Sequence, residues 1–299
     1  MKRLFLSFFL MVTLLSSTES TASDVYAKVM QIDKEVNLIK VHFGLSKEAD
    51  SKLLNINFEP RHTWQQTYEI FVKINIFRRA HNLATIEPVN LEPLLNVAPT
   101  LTYEQTLRLL EEFRILKYRL GITTKVSKIR EYHGKKPKDV YALLEKISQE
   151  IDILNGSGFT PSYVFAQTMR VYDDVNIILA HLNIKDETIP ASKKIGAKPI
   201  DTFNTAMLLL KSIRQIKGFV GISSIDFNAL HKESITPSDV FAITVMIIGE
   251  LQIIKSYIGV KEITPSARHY FDKSPADVDQ LMSWNLRKLK LITTLSRAQ

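Results

Sequence analysis

The feature of this sequence that most constrains its fold is a proline that recurs at a nearly constant interval. Seven prolines form the series, and Ala22 takes the same place in the first copy; the prolines are Pro60, Pro99, Pro137, Pro161, Pro199, Pro237 and Pro275. The successive steps, starting from Ala22, are 38, 39, 38, 24, 38, 38 and 38 residues. A repeat of this period predicts a chain built from copies of one structural unit.

Each member of the series is followed by a stripe of apolar residues. In the fifth copy, Val164, Val171, Val175 and Ile178 stand 3, 10, 14 and 17 residues after Pro161, and the other copies keep the last three positions apolar except at Asn285. At about 100° per residue, these positions share one narrow face of a helix. We therefore predict an all-α protein of eight repeated helices, each of about 22 residues and ~33 Å long.

The residues around the prolines are typical of helix starts. In Thr236-Pro237-Ser238-Asp239, Thr suits the N-cap, Pro the first helical position and Asp the third, where a carboxylate favours the helix dipole. Ser274-Pro275-Ala276-Asp277 repeats the pattern. We interpret the Thr-Pro-Ser-Asp cluster as a helix start and not as a reactive site.

The predicted helix ends carry residue types that tolerate a left-handed backbone. These residues are Gly44, Asn82, Gly121, Asn183, Gly221 and Gly259. An apolar residue follows each of them, as in helix C-caps that pack the next side chain against the helix.

The 24-residue step between Pro137 and Pro161 divides the chain into two halves that match each other. Arg130, Tyr132 and Lys135 stand 138 residues before Arg268, Tyr270 and Lys273. Internal duplication explains this match and predicts a four-helix domain at 23–157 and a second at 158–299. We favour two tandem four-helix bundles, with an α-solenoid as the alternative. The long connectors contain apolar pairs such as Leu94-Leu95, which suggest extra helical turns over the bundle ends.

The N-terminus resembles a secretory signal peptide. Lys2 and Arg3 precede an apolar run from Leu4 to Leu15, and small residues lead to Ala22. This layout predicts a signal peptide at 1–22, cleaved after Ala22, and an exported protein that is periplasmic or secreted. The apolar run is shorter than the ~20 residues of a membrane span, so we expect no transmembrane span after cleavage.

The composition excludes several classes of site and favours an anionic partner. The sequence has no cysteine, which rules out disulfides, thiolate metal sites and a cysteine nucleophile. The net charge of +8 becomes +7 once residues 1–22 are removed, because Lys2, Arg3 and Glu19 together carry +1. A basic exported protein is suited to anionic partners, although nucleic acid is not an expected one.

No motif in the sequence indicates an enzyme. His-Glu-x-x-His, Gly-x-Ser-x-Gly and a phosphate-binding glycine-rich loop do not occur. We therefore expect no metal and no cofactor, and an enzyme ranks third among the possible classes.

A column of cations lies near the predicted end of most helices: Lys40, Arg78, Lys117, Lys217 and Lys255. One interpretation is that these cations complement the helix dipole, at ~0.3–1 kcal/mol each. The alternative is a basic stripe that binds an anionic polymer, lipid headgroup or acidic protein.

Two further sets of residues are repeated in both halves. The connector set is Arg130, Tyr132, Lys135, Arg268, Tyr270 and Lys273, which either packs the connectors or forms a binding surface. Asn37 and His42 in the first helix recur as Asn176 and His181 in the fifth. They satisfy local helix requirements or line one ligand pocket in each bundle.

These patterns lead to two functional hypotheses. The first is an exported, non-catalytic binding or scaffold protein that presents helical surfaces to a protein or an anionic envelope component. The alternative is a small-ligand sensor or carrier with a pocket near the paired Asn and His residues. Both leave the oligomeric state open.

Overall fold

A computed structural model describes residues 20–49, 56–127, 129–156, 159–227 and 234–298, with side chains of the last helix described as far as Thr294. These residues form eight α-helices and no strand, which confirms the predicted all-α repeat. The helices are α1 (Ala22–His42), α2 (Pro60–Ala80), α3 (Pro99–Arg119), α4 (Pro137–Asn155), α5 (Pro161–His181), α6 (Pro199–Phe219), α7 (Pro237–Tyr257) and α8 (Pro275–Ala298).

The helix starts have the predicted capping interactions. At α7, the backbone N–H of Asp239 donates to Thr236 Oγ1 over 3.3 Å, and the backbone N–H of Thr236 donates to the Asp239 carboxylate over 2.8 Å. This reciprocal capping box pairs two N–H groups that have no partner within the helix. The Thr-Pro-Ser-Asp cluster is therefore a helix start, as predicted.

The start of α1 bears on the predicted signal peptide, most of which, residues 1–19, lies outside the described residues. Thr21 is the N-cap of α1 and forms a capping box with Asp24. Cleavage after Ala22 would remove this cap and the first helical residue, whereas a cut at or before Ser20 would keep both. The cleavage itself stays a prediction.

The predicted helix ends are also confirmed. All six Gly and Asn residues have positive φ; at Gly121 φ is 75°, a conformation that a Cβ atom disfavours. The following residue, Ile122, donates its backbone N–H to the carbonyl of Lys117 over 3.0 Å, the bond that defines a Schellman motif. Lys117 is the nineteenth residue of α3, and the nineteenth residue accepts the equivalent bond in the other five helices.

In each half the four helices close a ring. Helices α1 and α2 each pack against both α3 and α4, and α5 and α6 each pack against both α7 and α8. Each half is therefore a closed four-helix bundle and not the open stack of a solenoid.

All four helices of a bundle run in the same direction. Pro161, Pro199, Pro237 and Pro275 surround one shallow depression, together with the residue three positions after each of them. In the first bundle, Thr102 near the start of α3 donates its hydroxyl to the carbonyl of Pro60 at the start of α2, over 3.3 Å. The helix starts of a bundle thus meet at one end and the helix ends at the other.

The long connectors make this parallel arrangement possible. Between successive helices within a half they contain 17 or 18 residues, enough to span ~56 Å when extended, against ~32 Å for a 21-residue helix. In the α5–α6 connector, Asp186, Thr188 and Ala191 contact Lys288, Trp284 and Gln280 respectively, which lie at successively earlier positions of α8. The connector therefore runs back alongside α8. The extra helical turn predicted at Leu94-Leu95 does not form; the chain is non-helical there.

The short linker between α4 and α5 reverses the direction of the second bundle. It has only five residues, 156–160, which is too few to return along a helix. Contacts across the halves agree: Lys73 late in α2 donates to Ser238 at the start of α7 over 2.5 Å, and His62 at the start of α2 bonds to Glu250 late in α7 over 3.1 Å. Helices α2 and α7 thus pack antiparallel.

This contact buries α2 and α7 almost completely. Every residue from Val240 to Lys255 is buried, and so is every residue from Arg61 to Arg78 except Val72. Helix α7 is long and apolar enough to cross a membrane, with a mean hydropathy of 1.5, but 83% of that window is buried within the protein. It lies at the centre of the core, in contact with α2, α5 and α6.

The α2–α7 contact predicts the behaviour of the two halves expressed separately. Residues 23–157 and 158–299 should each form helix but melt roughly 10 °C or more below the intact chain, since each kcal/mol lost lowers the melting temperature by ~4 °C in domains of this size. Mixing the halves should restore most of that stability. Circular dichroism melts of each half, the mixture and the intact chain measure this; halves as stable as the intact chain would contradict it.

Candidate functional site

The five cations of the predicted basic stripe are buried. Each pairs with an acidic side chain at the fourteenth position of a neighbouring helix. The pairs are Lys40–Glu150, Arg78–Glu112 (3.2 Å), Lys117–Glu35 (2.5 Å), Lys217–Glu250 (2.8 Å) and Lys255–Asp174 (2.7 Å). Because these side chains face the interior, they do not form a binding surface for an external anion. We call them the interhelix ion pairs.

The interhelix ion pairs follow one direction around each bundle. The order is α1 to α4 to α2 to α3 to α1 in the first bundle, and the duplicated order is α5 to α8 to α6 to α7 to α5 in the second. The three helices without a cation at the nineteenth position have Asn155, Leu179 and Thr293 there. The next helices in this order, α2, α8 and α6, are the three that lack an acid at the fourteenth position. Cation and acid are thus kept or lost together.

The same cations also hold the connectors. Lys40 Nζ donates to the carbonyl of Lys47 and Lys117 Nζ to the carbonyl of Thr124, each over 2.6 Å. In the first bundle, a cation at the nineteenth position therefore joins its own return connector to a neighbouring helix, a larger role than the helix-dipole interaction expected from the sequence.

The pKa shifts of two acids show how burial and pairing compete. Burial alone would raise the pKa of Glu250, but hydrogen bonds and charges from His62 and Lys217 lower it to about 2. Burial raises the pKa of Asp174 above its ordinary value despite the opposing effect of Lys255. These carboxylates are internal structural groups and have no access to a substrate.

The connector set packs each connector against the first helix of its half. Tyr132 meets Tyr26 edge-on with ring centroids 4.9 Å apart, and Tyr270 meets Phe165 at the same distance and angle. Lys135 lies 4.5 Å from the centre of the Tyr26 ring; its equivalent, Lys273, lies 4.8 Å from that of Phe165. This repeated geometry favours the packing interpretation for the tyrosines and lysines. Arg130 and Arg268 remain exposed.

The paired Asn and His residues are not brought together into a pocket. Asn37 donates to Asp33 over 3.5 Å, and Asn176 accepts from Lys288 over 3.0 Å. His42 and His181 are exposed at the helix ends. A depression between the bundles, lined by residues such as Arg61 and Gln252, has a volume of about 10 Å³, room for about one water molecule. None of the four predicted residues lines it.

A polar cluster that the sequence analysis missed joins the two bundles. Lys73 Nζ lies 3.0 Å from Glu69, 2.8 Å from Asp152, 2.6 Å from Ser148 Oγ and 2.5 Å from Ser238 Oγ. Lys73 occupies the fourteenth position of α2, where five other helices have an acid. This change of charge within the repeat is the sequence signal that could have revealed the cluster.

The cluster has the composition of a serine–lysine site but lacks its chemistry. The charges of Glu69 and Asp152 outweigh burial and raise the pKa of Lys73, so the lysine stays protonated and cannot accept a proton from either serine. Both Lys73 and Ser148 are buried, which leaves a substrate no access. The cluster therefore acts as a polar joint between α2, α4 and α7.

Comparison with known proteins adds no assignment: no known protein family matches the chain, and searches of curated proteins and solved structures find no match. Within the described residues, no group of three or more His, Asp or Glu side chains could hold a metal ion.

The polar joint predicts a pH dependence of stability. Burial, reinforced by the charge of Glu145 and opposed by Lys73, raises the pKa of Glu69 to about 7 from 4.5. A carboxyl with a raised folded-state pKa stabilises the protein below its unfolded pKa, and this contribution is lost as the pH rises through 7. Between pH 5 and pH 8, wild type should therefore lose up to about 3 kcal/mol more unfolding free energy than Glu69→Gln.

Denaturant unfolding across this pH range measures the difference. Glu104→Gln, which changes an exposed glutamate of α3, serves as the matched control and should follow wild type. Parallel pH profiles for wild type and Glu69→Gln would show that Glu69 does not titrate in this range.

Proposed function

We propose that this chain is an exported, non-catalytic binding protein that contacts a protein or an anionic envelope component through the end of its first bundle. The leader pattern at residues 1–22 supports export. The observation that carries the binding role is a group of exposed apolar and basic side chains where α1, α2 and α3 end. We call this group the end surface; it consists of Val41, His42, Phe43, Arg79, His81, Tyr118 and Arg119.

The parallel helices bring these residues to one end of the bundle. Val41, Arg79 and Tyr118 are each the twentieth residue of their helix, so they lie at the same level. Val41 is 73% exposed and Tyr118 is 79% exposed. Large apolar side chains with this exposure, grouped at one end, are a feature of interaction sites.

Phe43 closes the bundle at this end. Its ring lies 5.6 Å from that of Phe77 and 5.2 Å from that of His81, which joins the ends of α1 and α2 across the bundle. Phe43 nevertheless remains 38% exposed. The end surface therefore rests on packed aromatic rings, which limits the entropy lost when a partner binds.

The second bundle offers an internal comparison. Its residues at the twentieth position of α5, α6 and α7 are Ala180, Gly218 and Ser256, which are all small. The second bundle has exposed aromatic residues one position later, Phe219 and Tyr257, but its twentieth positions show that a bundle can close without large side chains there. Their presence in the first bundle thus supports a role beyond folding.

The role can be tested with a photoreactive amino acid at Tyr118 in cells that produce the protein. We expect a crosslinked adduct from Tyr118, with a protein or with a lipid molecule and identified by mass spectrometry, since that side chain is at the end surface. The same substitution at Glu104, an exposed residue earlier in α3, should give none. No product from Tyr118, or equal products from both positions, would contradict the proposal.

A further inference from the structure

We infer that the partner of the end surface is an anionic lipid bilayer; this inference rests on the proposed function. The first argument is the charge that surrounds the exposed apolar side chains. Arg79 and Arg119 are exposed in the end surface itself. Two exposed lysines, Lys47 and Lys125, lie at the same level. Their positions follow from two hydrogen bonds at the helix ends: the carbonyl of Lys47 accepts from Lys40, and the carbonyl of Thr124, next to Lys125, accepts from Lys117.

Among the described residues near the end surface, few acidic groups offset these cations. Glu48 is exposed beside Lys47. Glu112 is held by Arg78 within the bundle. The end surface is therefore basic, and an anionic leaflet attracts such a surface.

The equivalent end of the second bundle lacks this charge. Phe219 and Tyr257 are 48% and 49% exposed there, so exposed aromatic side chains occur at both ends. Lys185 is paired with Glu187 over 2.6 Å, and Lys261 is followed by Glu262. Among the described residues, each of these two lysines of the second end thus has an acidic neighbour, so this end serves as a control within the same chain.

The shape of the end surface favours a bilayer over a peptide. Val41, Arg79 and Tyr118 project from three separate helices at the tip of the bundle. Residues of the end surface line neither the depression between the bundles nor the one at the starts of α5 to α8. A bilayer accepts separate apolar and cationic side chains without a groove, and tyrosine is suited to its interface with water.

The neighbouring part of the second bundle does not oppose this contact. Because the bundles are antiparallel, the start of α5 lies beside the end of α2, where Arg79 donates to the Tyr163 hydroxyl over 3.2 Å. Two helix-cap acids at these starts, Asp277 and Asp201, are paired with Lys193 and Lys194. Their negative charge is thus offset locally, and the third cap acid, Asp239 of α7, accepts hydrogen bonds from the backbone N–H and the hydroxyl of Thr236.

The test is vesicle flotation of residues 20–299, which omits the apolar leader because a leader binds membranes by itself. We expect flotation with phosphatidylcholine vesicles that contain phosphatidylglycerol and little flotation with phosphatidylcholine alone. Added salt should weaken the binding, because it screens the attraction. The double variant Arg79→Gln/Arg119→Gln should bind about 25-fold more weakly, at about fivefold for each cation near an anionic surface.

The controls separate this inference from the proposed function. Tyr257→Ser removes an exposed aromatic from the second end and should leave vesicle binding unchanged, and melting curves check that each variant is folded. Absence of binding to anionic vesicles, or an equal loss in Tyr257→Ser, would overturn the lipid inference. If Tyr118 then still crosslinks to a discrete protein, the binding function stands with a protein partner; loss of both results would overturn the function as well.

Discussion

The interhelix ion pair between a cation at the nineteenth position of one helix and an acid at the fourteenth position of the next is the constraint on which this fold depends. Lys255 and Asp174 are its most buried example, with neither side chain exposed. Removing such charges from water is costly, and the cost is offset only when each charge meets its partner in good geometry. Since both positions lie late in their helices, the pairing requires parallel helices that begin at one level.

The remaining architecture follows from that requirement. Parallel neighbours need connectors long enough to return along a helix, and the 17 or 18 residues available meet that need. The five-residue linker cannot return, so the second bundle runs in the opposite direction and α2 packs against α7. All helix ends of a bundle are gathered at one end, and this brings Val41, Arg79 and Tyr118 together as a surface.

The sequence predicts local structure well because each signal is confined to one helix. The helix starts and the left-handed C-caps could both be predicted from residues close in the chain. Parallel packing and the Lys73 joint could not, because they depend on which helices are neighbours. The basic stripe was misplaced for the same reason: its acidic partners, such as Glu35 and Glu112, lie in other helices. The end surface was not predicted, since it exists only once three helix ends are aligned.

The most direct test of the ion-pair account is a double-mutant cycle on Lys255 and Asp174. Lys255→Met leaves a buried carboxylate without its partner and should cost about 3–5 kcal/mol of unfolding free energy. Asp174→Asn can still accept the hydrogen bond that Thr264 donates at 2.7 Å, so it removes mainly the charge. The account predicts that the double variant is more stable than the sum of the single effects by roughly 2 kcal/mol or more, measured by denaturant unfolding. Effects that add within about 0.5 kcal/mol would contradict it, because the two residues would then stabilise the fold independently.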